Sequence, residues 1–312
     1  GLCSFSDETS GDYTVPSTGC KLSQMITVNG IMKVSGVQGE SPLRELAAMG
    51  GTPDASNPKR HFLAKNGAEL SISYVKMTMG KVDTASSSTS EHNAGGSIFV
   101  SGANTKLSVL GVLFEGCGES INCARRGGAV YAETQAQVSI NASTFILCNA
   151  DQEGGAVAAI GGAKVVIQNT KFKKNNAGQY GGAMYVALRV GAVATDVTLI
   201  GGQNVFEENQ AGSAAMGHSV YKEASCSLVF DLCPPGTFQL ASNPNIVSSS
   251  EATCPCGELS ESECKKFASN SKKCFGETDS WSYVPTGCVL QIGGDALAPW
   301  KVQGLSTCTS DS

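Results

Sequence analysis

FKKNNAGQYGGAMY, residues 172–185, is the stretch on which the reading of this chain turns. Three Gly fall within five residues, behind a pair of Asn, a composition that suits neither a helix nor an unbroken strand. Its Gly pair has relatives in GGSIF (95–99), GGAVY (127–131) and GGAVA (154–158), and a degenerate one in AMGHSVY (215–221). The intervals from pair to pair are 32, 27 and 27 residues, then about 35. Each pair precedes an alternating apolar segment and then a Phe: Phe114, Phe145, Phe172 and Phe206, at 19, 18, 18 and 25 residues from the first Gly. The stretch is therefore one corner of a repeat.

The repeat also runs back from the first pair. HFLAKNGAELSISYVKM (61–77) matches AVYAETQAQVSINASTF (129–145) without a gap, Phe62 on Val130, Leu70 on Val138, Ile72 on Ile140 and Met77 on Phe145. KLSQMITVNGIMKV (21–34) reads as the first turn of the series. The segments LSIS, VSIN, KVVIQN and VTLIG alternate with period two, which predicts short strands with one buried and one wet face. Short strands in a 27-residue unit, cornered by Gly and Asn, predict an all-β fold: a right-handed parallel β-helix of about seven coils with a small disulfide-rich C-terminal region. Helical periodicity is absent, and a propeller blade needs roughly 40 residues or more.

The expected organisation is an N-terminal cap and first coil (1–57), β-helix repeats (58–232) and a cysteine-rich tail (233–312). In the repeats Gly127, Gly154 and Gly181 take the positive-φ corner and Gly128, Gly155 and Gly182 allow close approach of the next coil. The four Phe fill the core, and Asn175 and Asn209, three residues after their Phe, stack at a corner where their side chains bond along the axis. The same position holds Cys117 and Cys148 in the two preceding coils, so a Cys117–Cys148 bridge is feasible, with Cys123 as the competing partner.

Composition bounds the function. Thirteen Cys in 312 residues place the chain in an oxidising, extracellular or secretory compartment, and the odd number leaves at least one without a partner in this chain. A net charge of -5 with no basic stripe argues against nucleic acid, and no run of 18 apolar residues is present to span a membrane. A start at Gly1 fits a mature chain or a piece of a longer one. His61, His92 and His218 are scattered, while Asp151, Glu153, Glu207 and Glu208 read as solvated corner residues, so no catalytic set is assigned. The spacing of Cys254, Cys256, Cys264 and Cys274 favours disulfides over zinc, and no metal or cofactor is expected. Asn141 opens the one sequon, Asn141-Ala142-Ser143, with its side chain outward at a strand end and open to glycosylation. Tyr131 and Tyr185, at one coil position, form a glycan platform or pack within the stack.

The GGA[ILV] motif paired with FxxN, here GGAV, GGAV and GGAM with FKKN and FEEN, resembles the polymorphic outer-membrane protein repeat over about residues 58–225. That resemblance implies a right-handed parallel β-helix displayed at a cell surface, in an adhesive or structural role. The chain departs from the bacterial pattern in its many Cys, and no C-terminal barrel is expected in residues 1–312. CPPGTF (233–238) and CPC (254–256) point to a eukaryotic, protist or algal, secreted relative.

The two ends resemble each other as well. GDYTVPSTGCKLSQMI (11–26) is similar to DSWSYVPTGCVLQI (279–292), and KVSGVQG (33–39) to KVQGLS (301–306), so the segment 274–306 reads as a copy of the N-terminus. Local bridges Cys3–Cys20 and Cys274–Cys288 follow from that reading. A chain whose end repeats its beginning is expected to associate with itself head to tail, as a non-catalytic subunit of an extracellular filament, appendage or coat. The alternatives are a cell-surface adhesin that binds glycans or surface proteins, and a polysaccharide lyase or hydrolase. Whether uronate polymers are cleaved separates the last from the others.

Overall fold

A computed structural model describes residues 1–5, 8–48, 59–82, 89–116, 123–188, 193–200, 203–212, 217–223, 226–231 and 246–247. The tail reading for 233–312, including Cys274 and Cys288, lies outside these residues apart from Ile246–Val247. Within them the chain is almost entirely β, with a single turn of helix at Ser90–Asn93.

The strands form four sheets, of eight, seven, three and eight strands among the described residues, and every strand pairing is parallel. The chain visits them in a fixed order. One pass runs through Gln137–Asn141 in the first sheet, Thr144–Ile146 in the second, Asn149–Glu153 in the third and Val157–Ile160 in the fourth. The next pass begins at Lys164–Gln168, beside the strand that opened the previous one. Consecutive passes are thus hydrogen-bonded neighbours in each sheet.

Register is set by like residues lying on like. In the first sheet Leu70, Leu107, Val138, Val165 and Val197 form one inward row, and Ile72, Val109, Ile140, Ile167 and Leu199 another. Slipping a strand by one residue would turn its apolar row to solvent, so burial holds the alignment. The second sheet stacks Met77, Phe114, Phe145, Phe172 and Phe206 in one row. Phe114, Phe145 and Phe172 are buried, with ring centroids 4.5 and 4.9 Å apart and ring planes within 4° of parallel. Phe206 continues the stack at 4.8 Å but is only partly buried, because its strand is the last described in that sheet.

The corner before the fourth sheet explains the paired Gly. Gly154 has φ +64°, a left-handed conformation that a Cβ disfavours. At Gly155 a Cβ would lie 2.0 Å from the carbonyl oxygen of Gly182 in the next pass, so the passes approach too closely for any side chain. Gly127, Gly128, Gly181 and Gly182 repeat this pair of constraints. In the degenerate AMGHSVY motif Gly217 takes the left-handed position with φ +68°.

Candidate functional site

Three regions concentrate polar or aromatic chemistry: the inner corners, the outward side of the fourth sheet, and the N-terminal end. At the corner after the second sheet, Asn175 and Asn209 point inward and are 0% and 7% exposed. Asn175 Nδ2 donates to Asn209 Oδ1 at 2.9 Å and to the Phe145 carbonyl at 3.1 Å, and its Oδ1 accepts from Cys148 N at 3.0 Å. Asn209 Nδ2 donates to the Phe172 carbonyl. Each amide thus satisfies backbone groups that the corner takes out of the sheet ladders, which removes the cost of burying them.

A second ladder runs at the corner between the first and second sheets. Ser143 Oγ accepts from Val112 N at 3.2 Å, and Asn204 Oδ1 accepts from Thr170 N at 3.0 Å. This alters the setting of the sequon. Asn141 is half-buried at the end of its strand, its Oδ1 accepting from Asn169, while Ser143 is buried with its hydroxyl engaged.

Cys148 occupies the Asn175 position one pass earlier, and here the cysteine reading is corrected. Cys148 is a buried free thiol, so the expected Cys117–Cys148 bridge is not made. Its Sγ points inward to the carbonyls of Ile146 and Phe114, and burial holds the thiol well above its ordinary pKa. Cys117 lies outside the described residues, and Cys123 is itself disulfide-bonded.

The outward side of the fourth sheet carries Leu63, Phe99, Tyr131, Ala158, Tyr185 and Tyr221 in register. Tyr131 is 2% exposed and Tyr185 8%, so of the two readings these side chains follow the second and pack within the stack. Tyr131 stacks on Phe99 at 5.4 Å and donates to Glu133. Tyr185 stacks on Tyr221 at 5.7 Å and donates to Glu223. Burial first, then the neighbouring glutamates, hold both phenols well above their ordinary range.

Chain from other passes covers this face. Arg60, 1% exposed, lies over the Phe99 ring at 5.2 Å and donates from Nη2 to the carbonyls of Glu91 and Ala94, while its Nε and Nη1 find no partner among the described residues. Burial lowers its pKa to about 9. His61 is also buried, with Nε2 against the Leu46 carbonyl at 3.0 Å, and burial lowers its pKa to about 4. Ser90, in the helical turn, donates to Glu133. At Ala158, where the aromatic row is interrupted, Arg126 acts electrostatically on both Tyr131 and Tyr185 and pairs with Glu153. Glu153 is therefore 7% exposed, not the solvated corner residue its sequence position suggests. Tyr180 and Tyr221 remain half-buried beside it, their centroids 4.7 Å apart.

The other acidic corner residues behave as surface groups. Glu207 accepts from Lys171 at 2.9 Å, which holds its carboxyl below the usual range, and Glu208 faces Lys174 at 3.4 Å. A surface hollow of about 280 Å³ opens between Lys174, Asn176, Glu208 and Gln210. His92 sits in the helical turn with Nδ1 against Thr89 Oγ1, and His218 Nδ1 accepts from Ala211 N, so the three histidines stand apart. No group of three His, Cys, Asp or Glu is placed to hold a metal among the described residues.

At the N-terminal end Cys3 is bridged to Cys20 with a Cα separation of 5.0 Å. Leu2 bridges Lys21, Cys3 N donates to the Lys21 carbonyl at 2.9 Å, and Phe5, 1% exposed, stacks on Tyr13 at 5.1 Å. Residues 1–5 thus close the end of the apolar core. Comparison of the chain with family models, curated proteins and solved structures finds no match in any of the three.

Proposed function

We propose that the chain is a right-handed parallel β-helix, related to the polymorphic outer-membrane protein repeats, with a structural, non-catalytic role. It serves as an extracellular subunit of a filament, appendage or coat that associates end to end. The fixed visiting order of four parallel sheets supports the helix reading, since parallel crossovers are right-handed in nearly all proteins. The observation that carries the functional reading is where the polar chemistry goes. The buried amides of Asn175 and Asn209 satisfy backbone groups, and the buried Glu133 and Glu153 take their own chain's hydroxyls and guanidinium. The sequence copy of the N-terminus in 274–306 supports self-association.

Negative-stain imaging of native material and light scattering over a range of concentrations test this reading. End-to-end rods and a mass that grows with concentration are expected. A monodisperse monomer at high concentration with disulfides intact sinks it.

The adhesin reading keeps one support, the half-buried Tyr180 and Tyr221 beside the Arg126–Glu153 pair. Glycan arrays with wild type and Tyr221→Ala separate it from the structural one, because loss of a specific glycan signal on substitution requires a sugar site there.

A further inference from the structure

We propose that the edge of the Gly11–Thr14 strand accepts a single extended strand, residues 280–283, from the C-terminal segment of a second copy. This rests on the self-association reading above and makes it specific. Gly11–Thr14 is the outermost described strand of the first sheet and, among the described residues, pairs only with Ile31–Ser35. Val15 N donates to the Ser35 carbonyl at 2.8 Å, which fixes the phase of that ladder. Alternate residues of a strand turn their N–H and C=O to opposite edges. Those of Tyr13 therefore face Ile31–Ser35, and those of Asp12 and Thr14 face away from it. Both residues are exposed, so these backbone groups form a template for one more strand.

The surroundings decide what kind of partner fits. A complete further pass cannot stack on this end, because Phe5 covers the core and the Cys3–Cys20 bridge clamps residues 1–5 along Lys21. One strand at the first sheet's edge meets neither obstacle. In every sheet of this chain neighbouring strands are parallel and carry similar residues in register. The segment that repeats the edge sequence is 279–292: Val284-Pro285 matches Val15-Pro16, and Thr286-Gly287-Cys288 matches Thr18-Gly19-Cys20. That match sets Ser280–Tyr283 on Gly11–Thr14. Residues 279–292 lie outside the described residues.

The test uses the full chain and a fluorescein-labelled peptide, DSWSYVPTG (279–287), with binding read by anisotropy and association by sedimentation velocity. Thr14→Pro removes one outward-facing N–H and leaves the ladder to Ile31–Ser35 intact, since proline is tolerated on an edge strand. The peptide is expected to bind wild type, and Thr14→Pro to weaken it by about tenfold or more. Sedimentation of Thr14→Pro shifts towards monomer over the same range. A peptide that does not bind, or that binds Thr14→Pro as well as wild type, overturns the edge site. If the chain still associates in either case, end-to-end assembly stands through another surface. If the peptide binds in a Thr14-dependent way while the full chain stays monomeric, the edge site stands and the assembly reading falls. Should Thr14→Pro lower the melting temperature, Asp12→Pro, which removes the other outward N–H, replaces it under the same criteria.

Discussion

The first and fourth sheets are built from the same number of parallel strands by the same passes of chain, yet they treat solvent differently. In the first, Lys164–Gln168 alternates between buried and exposed, and Ser108 and Ser139 stand in water on its outward side. In the fourth, Val130–Glu133, Val157–Ile160 and Met184–Ala187 are buried at every position. The inward rows of both sheets do the same work. The difference lies outside, where Arg60, the Ser90–Asn93 turn, Arg126 and Glu153 lie over one sheet and nothing comparable lies over the other among the described residues. A repeat can thus keep one inner surface constant while its outer faces diverge.

The largest expected effect is at the corner that feeds the fourth sheet. Gly155→Ala sets a Cβ against the Gly182 carbonyl, with backbone on both sides and no flexible group to yield. No cooperative unfolding transition, or a loss of more than about 4 kcal/mol by chemical denaturation, is expected. A near-wild-type melt would show that the passes can separate here. Next, Tyr131→Ala on the fourth sheet's outward side is expected to cost about 3–5 kcal/mol, the range for truncating a buried aromatic. Ser139→Ala, its counterpart on the first sheet, is expected to stay within about 0.5 kcal/mol. Equal costs for the two would erase the contrast between the sheets.

His61, buried with its Nε2 against the Leu46 carbonyl, gives the fold a pH signature. Its folded pKa, about 4, lies below the ordinary 6.5, so the unfolded chain binds the extra proton between those values. Stability from this group is complete above about pH 6.5 and is lost as pH falls towards 4, up to roughly 3 kcal/mol. His61→Gln keeps a donor for the Leu46 carbonyl and cannot titrate in this window. Its denaturation midpoint is expected to be flatter over that span, and an unchanged slope would assign the acid sensitivity elsewhere.

Smaller effects sharpen the corners. Asn175→Ala removes the acceptor for Cys148 N and a donor to the Phe145 carbonyl, with an expected loss of about 1–3 kcal/mol. Leu147, with φ +56° and its side chain exposed, is strained in a conformation that Asn tolerates. Leu147→Asn is expected to gain up to about 1 kcal/mol, and a loss would mean that its side chain contributes packing.

Much of the interior was legible because its signals are local and repeated. The ungapped match of 61–77 with 129–145 coincides with the strand register, in which Phe62, Ile98 and Val130 share one row and Met77, Phe114 and Phe145 another. Other features gave no such signal. Lys59, Arg60 and His61 are all buried, which no periodicity around them indicates. Glu153 looks like a corner residue in water, and only Arg126 in the preceding pass explains its burial. Cys148 falls where a bridge to the neighbouring pass was geometrically feasible, but its thiol points into the core, towards the Phe114 and Ile146 carbonyls.

Strand positions, corner positions and inward rows were therefore encoded in the order of residues, since periods of two and of about 27 can be counted along the chain. Which outward face becomes a second apolar layer was decided only in three dimensions. Its cover is assembled from residues that meet at separations of 27 to 43 positions, Arg126 with Glu153 and Ser90 with Glu133. No local pattern registers a lid made that way, because burial of an outward side chain depends on what other passes bring to it.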